Sequence, residues 1–254
     1  RRTERAAYRT KFYSNLSSPT RFDEEPFFHE QLYFSQTNKG ANKMNNLSLS
    51  QQYLLFTMNR QGKISSLNYY VGMCLVMAGL LDLQKANVLE LNNKEVILLS
   101  NELPEDLQYL DCLLEKITGL KKKRIEAIAN AYGTTFFEKD IKQLVSQIRD
   151  SLIEAEEVSI KKDSHALAYI AKEETVAKLV FRLENMNPLD RDGLTLAILL
   201  KKSSILKKYI EKENRKILEA KIREAKNEPV SKQTNTMISQ LDWLVGAMAT
   251  ITIV

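Results

Sequence analysis

Residues 67–81 are almost wholly apolar, with Val71, Met73, Cys74, Leu75, Val76, Met77 and Leu80 in close succession and no charged side chain among them. A helix that is apolar on nearly every side must be enclosed by other elements, so this stretch predicts the central helix of a helical domain. Gly72, Ala78 and Gly79 offer small surfaces for close packing, at some loss of helix propensity. Before it, residues 48–60 read as a short helix with Leu49, Tyr53, Leu54, Phe56 and Met58 along its apolar side and Ser48 or Ser50 at its start. A polar loop over residues 60–65 joins the two. After it, residues 87–91 and 95–99 read as the strands of a hairpin turning at Asn92-Asn93-Lys94.

The same order recurs further along. Residues 123–132 predict a helix ending near Gly133, and residues 136–156 a longer amphipathic helix carrying Ile141, Leu144, Val145, Ile148, Leu152 and Ile153. Strands at 158–160 and 166–170 then pair across Lys161-Lys162-Asp163-Ser164. Residue identity between the two helix–helix–hairpin units is slight, so the recurrence is architectural. Residues 174–186 predict a helix stopped by Asn187-Pro188, and residues 194–226 one long helix with an outer face dense in Lys and Glu. Residues 236–251 predict a terminal helix, apolar on nearly all sides and best buried in the bundle.

With only 8 Gly and 5 Pro in 254 residues, a strand-rich barrel or sandwich is disfavoured. The expected fold is mainly α: a compact helical bundle around buried apolar helices, with two short β-hairpins. Residues 1–43 lack sustained periodicity and carry Arg1, Arg2, Arg5 and Arg9; they are expected to be a flexible or extraneous arm, with residues 44–254 as a single domain and Met44 as a candidate start.

The sequence offers little chemistry of the catalytic kind. It has two His and two Cys and no HExxH or CxxC spacing, so neither a metal site nor a cofactor is expected. Glycine-rich phosphate loops and GxSxG are absent as well. Glu154, Glu156 and Glu157 cluster, as do Asp190 and Asp192, but no base or nucleophile is paired with them. Cys74 and Cys112 form no disulfide framework, which points to a reducing, cytoplasmic setting. No secretory signal is legible, and the apolar tail at 241–254 falls short of the ~20 residues of a spanning helix. The formal net charge of +5, with a pI near 9.0, suits contact with anionic partners, either lipid headgroups or phosphate backbones. Two helices followed by a hairpin also outline a winged helix, so nucleic-acid binding is the alternative. The apolar helix offers it Asn68, Tyr69 and Tyr70 but no cation, and Lys121-Lys122-Lys123-Arg124 is the best phosphate-binding cluster.

Five segments together resemble the Golgi phosphoprotein 3 family, particularly its bacterial members. LSLSQQYLLF resembles the family's opening helix, and MCLVMAGLLDLQ its central helix. LVSQIRDSLIEAEEVSI is similar to the helix leading into its protruding hairpin. GLTLAILLKKSSILKKYI resembles a late core helix, and LDWLVGAMATI the closing one. The resemblance covers residues 47–254. It implies a mainly helical, non-enzymatic peripheral membrane or adaptor protein, with phosphatidylinositol 4-phosphate as the eukaryotic members' ligand. The family's headgroup pocket uses a Trp and an Arg between the first two helices and two Arg on the helix before the hairpin. The first Arg aligns with Asn68, the later pair with Lys142 and Val145, and the Trp falls in a segment that this shorter loop lacks. The candidate headgroup-binding residues are therefore Lys142, Asn68, Arg60 and Lys63, with Arg149 further along the helix. The resemblance also implies self-association through the hairpin at residues 158–170, by Val158, Ile160, Leu167 and Tyr169.

Overall fold

The computed structural model describes residues 47–65, 69–92, 95–133, 138–162, 167–185 and 190–227. The chain divides by contact into units 1–46 and 47–254, and the described residues all belong to the second. The expected arm at 1–43, the start at Met44, residue Asn68 and the terminal helix at 236–251 lie outside the described residues.

The elements run α1 (Leu49–Thr57), α2 (Tyr69–Lys85), β1 (Leu89–Asn92), β2 (Glu95–Leu98), a 3-10 turn (Glu105–Leu110), α3 (Asp111–Gly119), α4 (Ile125–Gly133) and α5 (Glu138–Glu154). They continue with β3 (Val158–Lys162), β4 (Leu167–Ala171), α6 (Glu173–Asn185), α7 (Arg191–Lys202), a second 3-10 turn (Leu206–Lys208) and α8 (Lys212–Asn227). Among the described residues the protein is mainly α with two separate antiparallel hairpins, β1–β2 and β3–β4, as the residue pattern predicts.

Helix α2 is the axis. Val71 and the run from Met73 to Leu83 are buried, and α1, α4, α7 and β1 pack around them. Each large apolar side chain enclosed this way contributes about 1.5–3 kcal/mol. Gly79 admits the Leu113 side chain of α3 so closely that a Cβ there would stand 2.7 Å from Leu113 Cδ2.

The start of α1 is held twice. Ser48 and Gln51 form a reciprocal capping box. In addition, the buried carboxylate of Asp82, near the end of α2, accepts from the N–H groups of Leu49 (2.9 Å) and Ser50 (2.8 Å). A carboxylate at a helix N-terminus is favourable in the field of the helix dipole. Burial still pushes the Asp82 carboxyl above its usual range, against the opposing hydrogen bonds from Ser50 and Leu49.

Among the described residues, three helices end in the same closure. After α2, Val88 N–H donates to Leu83 O and Asn87 N–H to Gln84 O. After α5, Glu157 N–H donates to Leu152 O and Glu156 N–H to Ile153 O; after α7, Ile205 N–H donates to Leu200 O and Ser204 N–H to Lys201 O. These are Schellman motifs, and they place Asn87, Glu156 and Ser204 in the left-handed region, at φ 57°, 60° and 60°. The last of them corrects an expectation. Residues 194–226 are two helices, α7 and α8, separated at Ser203–Ser204, where the Ser203 hydroxyl donates back to Leu199 O. Ser204 occupies the site where glycine normally announces the stop.

Other boundaries differ from the expected ones. The 3-10 turn and α3, spanning residues 105–119, form an element that the periodicity did not predict; it buries Leu107, Leu110, Leu113, Leu114 and Ile117. Lys161 and Lys162 belong to β3, paired with Ala168 and Leu167, so the second hairpin is longer than expected. Lys123 precedes α4 because its carbonyl accepts from Val96 N–H (2.8 Å), which ties this loop to β2.

Candidate anion-binding face

The loop between α1 and α2 has a defined shape. Asn59 Oδ1 accepts from the N–H groups of Gln61 (2.9 Å) and Lys63 (3.2 Å), and Asn59 N–H donates to Lys63 O (2.8 Å). Gly62 sits at φ +70°, a conformation that a side chain would strain. A Cβ on Gly62 would also fall 2.6 Å from Tyr169 Cδ2 and 3.0 Å from Arg149 Cδ. The loop is therefore seated against both α5 and β4.

Two further contacts hold it there. Tyr169 N–H, on β4, donates to Arg60 O (2.8 Å). At the other end of the loop, Ile64 and Ile141 of α5 converge on Gly72 of α2; a Cβ there would stand 3.4 Å from Ile141 Cγ1 and 3.6 Å from Ile64 Cδ1. The loop is thus fixed by hydrogen bonds and apolar contacts to elements distant in sequence.

The predicted residues fall into distinct roles on this frame. Arg60 and Lys63 are exposed on the loop, and Lys142 is exposed on α5. Asn68 lies outside the described residues. Val145, which the resemblance aligns with a headgroup arginine, is buried at 5% exposure and belongs to the core. Arg149 is anchored internally: its guanidinium lies 4.4 Å from the centroid of the Tyr169 ring, and it donates to Ser146 Oγ (2.8 Å) and Asp150 Oδ1 (2.7 Å). A cation over an aromatic face contributes about 0.5–1 kcal/mol where solvent reaches it. Arg149 braces the loop more than it offers charge to a ligand.

The hairpin residues divide in the same way. Val158 is buried and Tyr169 packs on the loop and Arg149, whereas Ile160 and Leu167 are about half exposed. Of the four, Ile160 and Leu167 are the most exposed, and Tyr169 is partly exposed.

Three of the clustered acids, Glu157, Asp190 and Asp192, are engaged structurally. Glu157 is buried and accepts from the Thr175 hydroxyl. Asp190 caps α7 through Gly193 N–H (2.6 Å) and pairs with Arg182 (2.5 Å). Its partial burial would raise its carboxyl, but the Arg182 and Gly193 hydrogen bonds outweigh that and lower it. Asp192 pairs with Lys85 at 2.7 Å. Burial pushes the thiols of Cys74 and Cys112 up to about 12, so both are poor nucleophiles at neutral pH. No group of three or more metal-ligating side chains occurs among the described residues.

Helix α2 is enclosed along nearly its whole described length. The winged-helix alternative therefore loses its recognition helix, since a helix surrounded by its own fold cannot enter a groove.

The family model described as Golgi phosphoprotein 3 (GPP34) matches residues 49–241. The chain belongs to the Golgi phosphoprotein 3 family. No individual curated protein matches it. The family match spans the loop, α5 and the β3–β4 hairpin, so the face described above is part of the domain shared by Golgi phosphoprotein 3 proteins. No helix among the described residues is long and apolar enough to cross a membrane.

The loop's geometry had a signal in the sequence. Asn59 and Gly62, spaced as in a turn, mark it. Nothing local marks the Arg149–Tyr169 contact, which joins a helix to a strand beyond the hairpin turn.

Proposed function

We propose that this Golgi phosphoprotein 3 family member is a non-enzymatic peripheral binding protein that meets anionic membrane surfaces through the loop–α5–hairpin face. The observation that carries this reading is the rigid seating of the loop, through Tyr169, Gly62 and Gly72, beside the exposed cations Arg60, Lys63 and Lys142. A pre-ordered set of cations attracts headgroups without losing further loop entropy on binding. Each cation near a charged bilayer contributes about 1 kcal/mol, and salt weakens it.

The chemistry of these residues also sets the selectivity. Paired guanidinium forks hold a phosphate bidentately, whereas an ammonium acts as a point charge. With Lys142 and a core valine in place of two arginines, this face reads charge density more than headgroup structure. Phosphatidylinositol 4-phosphate vesicles should therefore bind no better than phosphatidylserine vesicles of equal charge. Exposed Ile160 and Leu167 support association of two copies through the hairpin, or with a protein partner, as part of the same adaptor reading.

Vesicle co-sedimentation at two salt concentrations tests this. Binding to acidic but not neutral vesicles, reduced by salt and by Lys63→Glu/Lys142→Glu, is the expected result. Equal binding to neutral vesicles, or none to acidic ones, contradicts it.

A further inference from the structure

A second basic surface emerges at the same end of the bundle. Residues 201–216 hold seven Lys or Arg against two Glu, a local excess of five positive charges. The segment is the end of α7, the Schellman turn, the second 3-10 turn and the start of α8. Ile205, Leu206 and Ile210 are buried at 4%, 2% and 3% exposure, so three apolar anchors fix the turn while Lys207, Lys208, Lys212 and Lys216 are exposed on it.

Two independent observations place this turn near the loop. The Lys85–Asp192 ion pair joins the end of α2 to the start of α7, and the two helices pack on each other. The end of α7 therefore lies towards the start of α2, where the loop enters. Separately, the Tyr209 hydroxyl donates to Phe56 O (3.0 Å) in the last turn of α1, and the two rings meet edge to face at 4.9 Å. Phe56 lies just before Met58, from which the loop departs. Tyr209 thus joins the basic turn to the foot of the loop, and it keeps 38% of its surface exposed.

We infer that residues 207–216 form a second contact for an anionic lipid bilayer, flanking the loop–α5 face; the inference rests on the membrane reading given above. The chemistry favours a bilayer surface. Lysines carry compact charges on flexible stems that reach a diffuse layer of headgroups. A half-exposed tyrosine among them is suited to the membrane–water interface. Two basic patches at one end of a rigid bundle engage an extended charged surface together, whereas a single soluble phosphate meets one of them. Each lysine near an acidic bilayer should raise partitioning by about fivefold at low salt.

The test compares Lys207→Glu/Lys208→Glu/Lys212→Glu with Lys63→Glu/Lys142→Glu and the unmodified chain. All are titrated with phosphatidylcholine vesicles, phosphatidylcholine–phosphatidylserine vesicles and a DNA duplex, with thermal melting to confirm that each is folded. The inference expects the 207/208/212 variant to lose at least about tenfold in binding to acidic vesicles at low salt, with an unchanged melt. If only the 63/142 variant loses binding, the inference is overturned and the membrane reading stands. If only the 207/208/212 variant loses binding, the second surface is supported and the loop–α5 reading fails. Failure of the unmodified chain to bind acidic vesicles overturns both. Duplex binding that is lost in the 207/208/212 variant, without vesicle binding, assigns the surface to nucleic acid and overturns the inference.

Discussion

The two helix–helix–hairpin units are built alike and used differently. Helices α2 and α5 are both 17 residues long and close with the same pair of hydrogen bonds before a hairpin begins. Their corresponding residues even meet: Gly72 and Ile141, each the fourth residue of its helix, pack against each other. Asp82 and Ser151, each fourteenth, both hold the start of α1, Asp82 through the N–H groups of Leu49 and Ser50 and Ser151 through the Gln51 side-chain amide. Yet α2 is enclosed, whereas α5 turns one face to solvent. Three apolar residues of β1–β2 are buried, but in β3–β4 only Val158 is. Local geometry is therefore shared where hydrogen bonding decides it. The distribution of apolar and charged side chains decides which unit becomes core and which becomes surface.

The fifth residues of the two helices give the largest contrast. Met73 is 1% exposed and Lys142 is exposed. Met73→Ala should cost about 2–5 kcal/mol in denaturant unfolding. Lys142→Ala should stay within about 0.5 kcal/mol and weaken only vesicle binding. Similar stability losses at the two positions would break the comparison.

The fourteenth residues come next. Asp82→Ala leaves two buried N–H groups at the start of α1 without their acceptor, a loss of about 1–3 kcal/mol. Ser151→Ala removes a half-buried neutral hydrogen bond, about 0.5–1.5 kcal/mol. Paired chemical-denaturation curves check the order.

Gly62→Ala probes the loop that the second unit holds. Its positive φ and the short approach to Tyr169 predict a loss of about 1–3 kcal/mol, together with faster hydrogen exchange at the Tyr169 amide. A neutral substitution would show that the loop is not seated on β4.

The closures give the smallest effect, in the stabilising direction. Glu156→Gly should raise stability by about 0.5–1 kcal/mol by relieving the left-handed conformation. Asn87→Gly should gain less, because asparagine tolerates that region better. Differential scanning calorimetry resolves the two.

Much of this contrast can be read in the chain itself. An unbroken apolar run can only be enclosed, which makes α2 legible. The spacing of Leu144, Val145, Ile148 and Leu152 makes α5 amphipathic. The division between α7 and α8 was hidden because Ser204 takes the left-handed position without a glycine. Residues 105–119 were missed because a 3-10 turn and a nine-residue helix with three buried apolar residues give a short, weak period.

Of the candidate face, Arg60, Lys63 and Lys142 were legible as cations near an aligned pocket. That Arg149 braces Tyr169, and that Val145 is core, depends on which side of α5 meets the rest of the fold. Spacing fixes the apolar side only approximately. The basic turn was legible as charge, but its place beside the loop rests on Tyr209 reaching Phe56, a contact that no local pattern encodes.

Hydrogen–deuterium exchange with and without phosphatidylserine vesicles tests the central claim most directly, that the outward-facing second unit and the α1–α2 loop seated on it meet the membrane. The account predicts added protection at residues 59–65 and 167–171, with none at 89–98. Protection confined to 89–98, or no change anywhere on vesicles that bind the protein, would contradict it.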